Sequence, residues 1–324
     1  MDGPATPETK TTGEVAAVAD ALKRARQAIQ GIIRGKDEMI ELALVAMVGR
    51  GHLLLEDIPG VGKSTLARAL ARAVDGSFRR VQFTSDLLPA DLVGVNVWRS
   101  REERFEFREG PVFANMVLAD EVNRAPPRTQ SALLEAMGEM TVSIDGVSHD
   151  LPDPFMVIAT QNPAEHHGTY PLPESQRDRF MLRVRMGYAG ADVETALLQA
   201  GGTRSDADLK PVVSREEVLA AQRLASEVFV HEDLARYAQQ VVQATRDHAQ
   251  VALGVSTRGA LGWMAAARGR ALLEGRDRIL IDDLQELAVP ALAHRLMASQ
   301  SAAGDVAVSE EIVRDVVART PVPV

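Results

Sequence analysis

Seven consecutive residues, Pro59, Gly60, Val61, Gly62, Lys63, Ser64 and Thr65, have the composition of a phosphate-binding turn. They follow the apolar run LLLE and open an amphipathic stretch beginning at Lys63, which is the strand–turn–helix context such a turn requires. Gly60 and Gly62 allow backbone amides to point inward at phosphate oxygens. Lys63 can reach the terminal phosphates, and the Ser64 hydroxyl can ligate Mg2+ at the helix N-terminus. Asp57 stands where the strict pattern has its first glycine. The turn alone is compatible with a GTPase, a kinase or an ATPase.

A second apolar run, MVLAD, ends in Asp120 and Glu121. One carboxylate there can hold Mg2+ through water, and the other can polarise a water attacking the γ-phosphate. A simple GTPase or kinase switch does not need the second acid. A third run ends in IATQNP and sets Asn162 beside the same crevice, where its amide could orient water or contact the γ-phosphate. Further on come Arg177 and Arg179 in PLPESQRDRF, and Arg258 in GVSTRGAL at a helix start. Each arginine taken singly reads as a surface charge. In this order behind the acids, they are candidates for contact with phosphate.

The elements that must position these groups follow from hydrophobic period. Five short apolar runs, at 52–56, 79–83, 116–120, 155–160 and 180–186, alternate with helical patterns from Val15 to about Tyr188. That alternation predicts a mostly parallel, helix-covered five-stranded sheet. Two further pairs of alternating runs read as inserted hairpins. VNVWRS and RFEFRE flank 100–103, and TVSI and VSHDL flank Asp145-Gly146, whose glycine suits the positive φ of a tight turn. After residue 188 the strand patterns stop and helices are expected at 214–228, 232–250, 257–274, 282–297 and 309–319, the first with a Ser214/Glu217 capping box. The expected organisation is a mobile tail at 1–14, an α/β nucleotide-binding domain at 15–188, a linker at 189–210 and a helical domain at 211–324. Trp98 and Trp263 are read as packing residues. His166 and His167, with only Glu165 nearby, are read as loop residues rather than metal ligands.

Composition narrows the classes. With 46% apolar and 25% charged residues the 324-residue chain is ordinary for a folded protein. It has no cysteine, which excludes disulfides, thiolate metal sites and cysteine nucleophiles. Thirty-six basic against 45 acidic residues leave a net charge of −9, which weighs against wholesale binding to a phosphate backbone. No apolar run is long enough to span a membrane, and the N-terminus lacks the pattern of a secretory leader, so a cytoplasmic location is expected.

The ordered set GVGKST, LADEVNRAPPRTQSALLEAM, ATQNP, YPLPESQRDRF and STRGAL resembles the MoxR group of AAA+ ATPases over roughly residues 29–298. The resemblance implies an AAA+ P-loop core followed by a helical lid, with ATP and Mg2+ as ligands. It assigns Lys63 and Ser64 to Walker A, Asp120 and Glu121 to Walker B, Asn162 to sensor 1, Arg179 to the arginine finger and Arg258 to sensor 2. The two hairpins match the helix-2 insert and the pre-sensor-1 hairpin of this branch. Arg177 departs from the family pattern and leaves the finger open between itself and Arg179. Whether Arg258 serves its own nucleotide or a neighbour's is also open. The resemblance further implies homo-oligomeric rings, commonly hexamers, chaperone-like remodelling of a client protein, and partners bearing a von Willebrand factor A domain. Two other functions compete with this reading. One is a related nucleic-acid motor, for which the arginines of the first hairpin speak and the net charge does not. The other is a nucleotide-gated scaffold with little hydrolysis, against which Glu121, Asn162 and Arg179 together argue.

Overall fold

The computed structural model describes residues 12–57, 60–162, 169–200, 206–299 and 306–323. The helices α1 (Thr12–Gln30) and α2 (Asp37–Val48) precede strand β1 (Leu53–Glu56), helix α3 (Lys63–Ala73), β2 (Phe78–Gln82) and the short α4 (Pro89–Val93). The first hairpin, β3 (Gly94–Arg99) and β4 (Arg104–Glu109), leads to β5 (Met116–Asp120) and α5 (Pro127–Glu139). The second hairpin, β6 (Thr141–Ile144) and β7 (Val147–Asp150), leads to β8 (Met156–Gln161), α6 (Glu174–Arg177) and β9 (Leu182–Val184).

Five of these strands form one parallel sheet in the order β2-β5-β8-β1-β9. All five expected strands and both hairpins therefore exist. Strand side chains alternate between two apolar layers, as the pleat requires. Leu53, Leu55, Leu118 and Ile158 face α1, α2 and α3, whereas Leu54, Val117, Val157 and Ala159 face the layer that holds α5 and Phe180. Burial on both faces is why these strands read as unbroken apolar runs.

The chain continues through α7 (Ala191–Ala200) to α8 (Arg215–Glu227), α9 (Glu232–Arg246), strand β10 (Val251–Leu253), α10 (Thr257–Leu273), α11 (Ile281–Leu292), strand β11 (Met297–Ala298) and α12 (Val306–Arg319). The capping box forms as expected: Glu217 N donates to Ser214 Oγ at 3.2 Å, and Ser214 N donates to Glu217 Oε2 at 2.7 Å. The helical part has no core of its own. Trp263, Leu284 and Leu287 belong to the same apolar cluster as α2 and the sheet face. Gln222 donates to Met47 O at 2.8 Å, and a Cβ on Gly269 would stand 3.0 Å from Val45 O, so α10 lies directly on α2.

Four local expectations need correction. The supposed tail is already helical from Thr12, because α1 buries Val15, Ala21 and Leu22 against the following helices. The supposed linker contains α7. Strand structure does not stop at residue 188, since β10 pairs antiparallel with β11 through residues too far apart in sequence to show a hairpin signal. Trp263 is fully buried, with its indole N–H donating to Leu284 O at 3.0 Å, but Trp98 is 49% exposed and packs edge-on against Phe105 on the neighbouring strand. Among the described residues no helix is long and apolar enough to cross a membrane.

Candidate nucleotide site and its arginines

Glycine makes the phosphate turn possible. Gly60 and Gly62 adopt φ of 87° and 100°, in the region that side chains disfavour, and a Cβ on Gly60 would meet nothing within 4 Å. Gly62 is the N-cap of α3, whose first turn contains Lys63, Ser64 and Thr65 and no acid. Unpaired amides, a lysine and two hydroxyls at a helix N-terminus suit an anionic ligand. Val61, Ser64 and Thr65 are half-buried in this turn; Pro59 lies outside the described residues. Lys63 Nζ donates to Asp57 O at 2.9 Å. The Asp57 carboxylate, at the position of the missing first glycine, accepts from Gly187 N at 2.5 Å. Lys36 gathers the carbonyls of Met186, Gly187 and Tyr188 at 2.5, 2.9 and 2.7 Å, which fastens the outlet of β9 beside the phosphate turn.

The acids lie at the same carboxyl edge of the sheet. Register sets Gln82 beside Asp120, Ala119 beside Ala159 and Glu56 beside Gln161, so the ends of β2, β5, β8 and β1 line one crevice. Asp120 Oδ1 accepts from Thr160 Oγ1 at 2.6 Å, and Oδ2 pairs with Arg80 Nη2 at 2.6 Å. Glu121 has a left-handed φ of 57°, and its amide donates to the same Thr160 hydroxyl at 2.9 Å. Its Oε2 accepts from Gln82 Nε2 at 2.7 Å and Arg124 Nη1 at 2.9 Å. Asn162 is buried immediately beyond β8. The structure thus brings Lys63, Ser64, Asp120, Glu121 and Asn162 to one edge. Sequence reasoning missed Arg80, Gln82, Arg124 and Thr160. Thr160 alone carried a signal, as the last residue of the apolar run 155–160; the place of Gln82 beside MVLAD depends on strand order.

The arginines stand elsewhere. Arg177 and Arg179 precede β9, whose Leu182 pairs with Leu53 at the start of β1, so they belong to the amino edge of the sheet. A strand of four residues rises about 13 Å, and that length separates them from the phosphate turn of their own chain. Arg177 lies 3.7 Å from Glu174, with its Nε buried and unpartnered. Arg179 is half-buried, and among the described residues its guanidinium has no ion-pair or hydrogen-bond partner. Between them, Asp178 binds the helical part: its carboxylate accepts from Ser256 Oγ at 3.0 Å and pairs with Arg295 Nε at 2.9 Å. Ser256 also caps α10, accepting from Gly259 N at 2.9 Å, and so sets the exposed Arg258 close to residues 177–179.

Burial shapes the charges around this joint. Arg295 is lowered to about 10 by desolvation, against the pull of Asp178, while it binds the carbonyls of Ala291 and Phe180. His294 is held well below the usual histidine range, first by burial and then by the positive charge of Arg295, and its Nε2 lies 3.0 Å from Phe180 O. The candidate loop histidines His166 and His167, with Glu165, lie outside the described residues.

A phosphate turn and paired acids at the edge of this parallel sheet, followed by a helical lid, define an AAA ATPase. Residues 52–182 match the ATPase family associated with various cellular activities (AAA), and residues 243–316 match the AAA lid domain. The chain is 43% identical to Chaperone MoxR1 of Mycobacterium tuberculosis over 94% of this chain and 83% of that protein. It is 30% identical to Protein MoxR of Paracoccus denitrificans over 85% and 88%. A crystal structure from Cytophaga hutchinsonii superposes with a TM-score of 0.84 at 34% identity, covering 93% of this chain and 96% of that one. The chain belongs to the MoxR family of AAA ATPases.

Proposed function

We infer that this chain is a Mg2+-dependent ATPase whose active site is completed only between subunits of a homo-oligomeric ring, with hydrolysis driving the remodelling of a client protein. The observation that carries this reading is the position of Arg179, across the depth of the sheet from its own phosphate turn and unpartnered among the described residues. A free guanidinium there can serve a neighbour's γ-phosphate and not its own. Arg258 lies in the first turn of the helix whose cap Ser256 bonds Asp178, and is assigned the same direction. Lys63 and the amides of Gly60 to Thr65 bind the phosphates, and Asn162 orients the attacking water. Ser64 and Asp120 would hold Mg2+, which when bound neutralises phosphate charge. Glu121 accepts the proton of the attacking water. The name of the Mycobacterium relative supports a chaperone role. A von Willebrand factor A protein is the proposed partner class. The proposed division is a nucleotide-binding domain from α1 to about residue 188 and a lid at 211–324, joined by a segment, 189–210, that holds α7.

The test mixes two inactive variants. Arg179→Ala keeps an intact phosphate turn, and Lys63→Ala keeps a working finger, so mixed rings should regain a fraction of wild-type turnover. If native mass spectrometry shows mixed rings that stay inactive, the assignment to a neighbour is wrong.

A further inference from the structure

Among the described residues Arg179 has no acid to hold it, yet it occupies a defined place, and the reason lies on α5. A Cβ built on Gly138, the penultimate residue of that helix, would overlap Arg179 Nη1 and approach Cζ to 3.0 Å. The guanidinium therefore fills the space that any other residue at 138 would take. The backbone beneath it is tied down on both sides. His52 Nε2 lies 3.1 Å from Met137 O, while Val157 N donates to the other ring nitrogen of His52 at 3.0 Å. Leu151 N donates to Met140 O at 3.0 Å, closing the root of the second hairpin. Burial lowers His52 to about 4, so the ring is neutral and donates from Nε2 to the carbonyl. Of the two groups that would collide, the helix end is anchored and the tip of the arginine is free.

We propose that Gly138 is a positioning residue for hydrolysis: its missing side chain seats the Arg179 guanidinium in the pose from which it reaches the neighbouring subunit's nucleotide. The inference rests on the reading of Arg179 as a finger acting on a neighbour. Its distinctive consequence is that activity and stability part company. A methyl group at 138 is accommodated by moving the arginine tip, which costs the fold little, and alanine is the better residue within a helix. A finger displaced by an ångström or more loses turnover on the order of 10²-fold.

The experiment compares wild type, Gly138→Ala, Arg179→Ala and the double variant, measuring ATP turnover, ATP affinity, ring assembly by native mass spectrometry and thermal midpoint. Gly138→Ala should assemble, keep its ATP affinity and KM, melt no lower than wild type, and lose kcat by about 10²-fold. In the Arg179→Ala background the same change should do nothing further, because the group it displaces is gone. Mixed with Lys63→Ala, Gly138→Ala should recover turnover as Arg179→Ala does. Wild-type turnover by Gly138→Ala alongside an inactive Arg179→Ala overturns the role of Gly138 and leaves the finger intact. Near-normal turnover by Arg179→Ala overturns the finger itself. An additive loss in the double variant, or a Gly138→Ala protein that unfolds or fails to assemble, also overturns the proposal, since the methyl would then act through the backbone rather than the arginine.

Discussion

At the level of single residues, the site separates groups that bind from groups that react. On the proposed reading, Lys63 meets phosphate charge in the ground state, whereas Glu121 matters only when water attacks. Lys63→Ala should therefore abolish binding of a fluorescent ATP analogue, while Glu121→Gln should bind it normally and turn over at least about 10²-fold more slowly. The Glu121 carboxylate is held by Gln82 and Arg124. With two donors on Oε2, the side chain has to release a hydrogen bond before it can turn toward a water. A hydrogen bond to a partly exposed charged group is worth about 1 kcal/mol, so Gln82→Ala should raise turnover in the absence of client by about fivefold. Steady-state phosphate release checks this, and a rate equal to or below wild type would show that Gln82 orients Glu121 rather than restraining it.

Among the elements, the two hairpins act together. Asp145 and Gly146 adopt φ of 49° and 81°, the geometry of a two-residue turn with both central residues left-handed. Asn96 donates to Asp145 at 2.7 Å, and the rings of Phe107 and His149 stack with centroids 4.0 Å apart, so a displacement of one hairpin is felt by the other. The second hairpin runs from the Gly138 end of α5 into β8, which ends beside Asn162. Shortening it at the turn should leave folding and nucleotide affinity unchanged while uncoupling hydrolysis from client remodelling; remodelling at the wild-type rate would remove it from the coupling route. The anchor of that helix end carries a pH dependence. His52 titrates at about 4 when folded and 6.5 when unfolded. Between those values the unfolded chain binds more protons, so stability is complete above pH 6.5 and falls as pH drops toward 4. The loss attributable to His52 is about 3 kcal/mol, and His294 acts in the same direction. Urea unfolding at a series of pH values should show this slope, and His52→Gln should flatten it.

For the whole molecule, one buried charge group joins three distant segments of the chain. Arg183 on β9 is 5% exposed and lies 3.6 Å from Glu56, the last residue of β1, and 3.0 Å from Glu310 on α12. Desolvation lowers the Arg183 pKa against the pull of both acids. Glu56 Oε2 has no hydrogen-bond partner besides this pair, so Arg183→Met should leave a buried carboxylate without a counter-charge and cost about 3 kcal/mol by urea denaturation. The same scale governs assembly. If the site is completed by a neighbour, specific activity should rise with protein concentration through the range where rings form, and a concentration-independent specific activity would contradict it.

What could be read from the sequence alone was chemistry that neighbours in the chain supply to one another. Gly60, Gly62, Lys63 and Ser64 make their turn with local backbone and a helix start; Asp120, Glu121 and Asn162 each end an apolar run, and parallel strands buried on both faces must bring such ends to one edge. The Asp145-Gly146 turn was legible for the same local reason. Register and packing between distant segments decided the rest. Trp98 is exposed because its cross-strand partner Phe105 lies on a hairpin away from the core. Strands β10 and β11 pair across the whole of α10 and α11, beyond any local pattern. The restraint of Glu121 by Gln82 comes from the pairing of β2 with β5. Only the pairing of β9 with β1 sets Arg179 at the opposite edge from its own phosphate turn, and only the packing of α5 beneath it gives the glycine at 138 its meaning, because a contact between residues 41 positions apart leaves no period or motif in the chain.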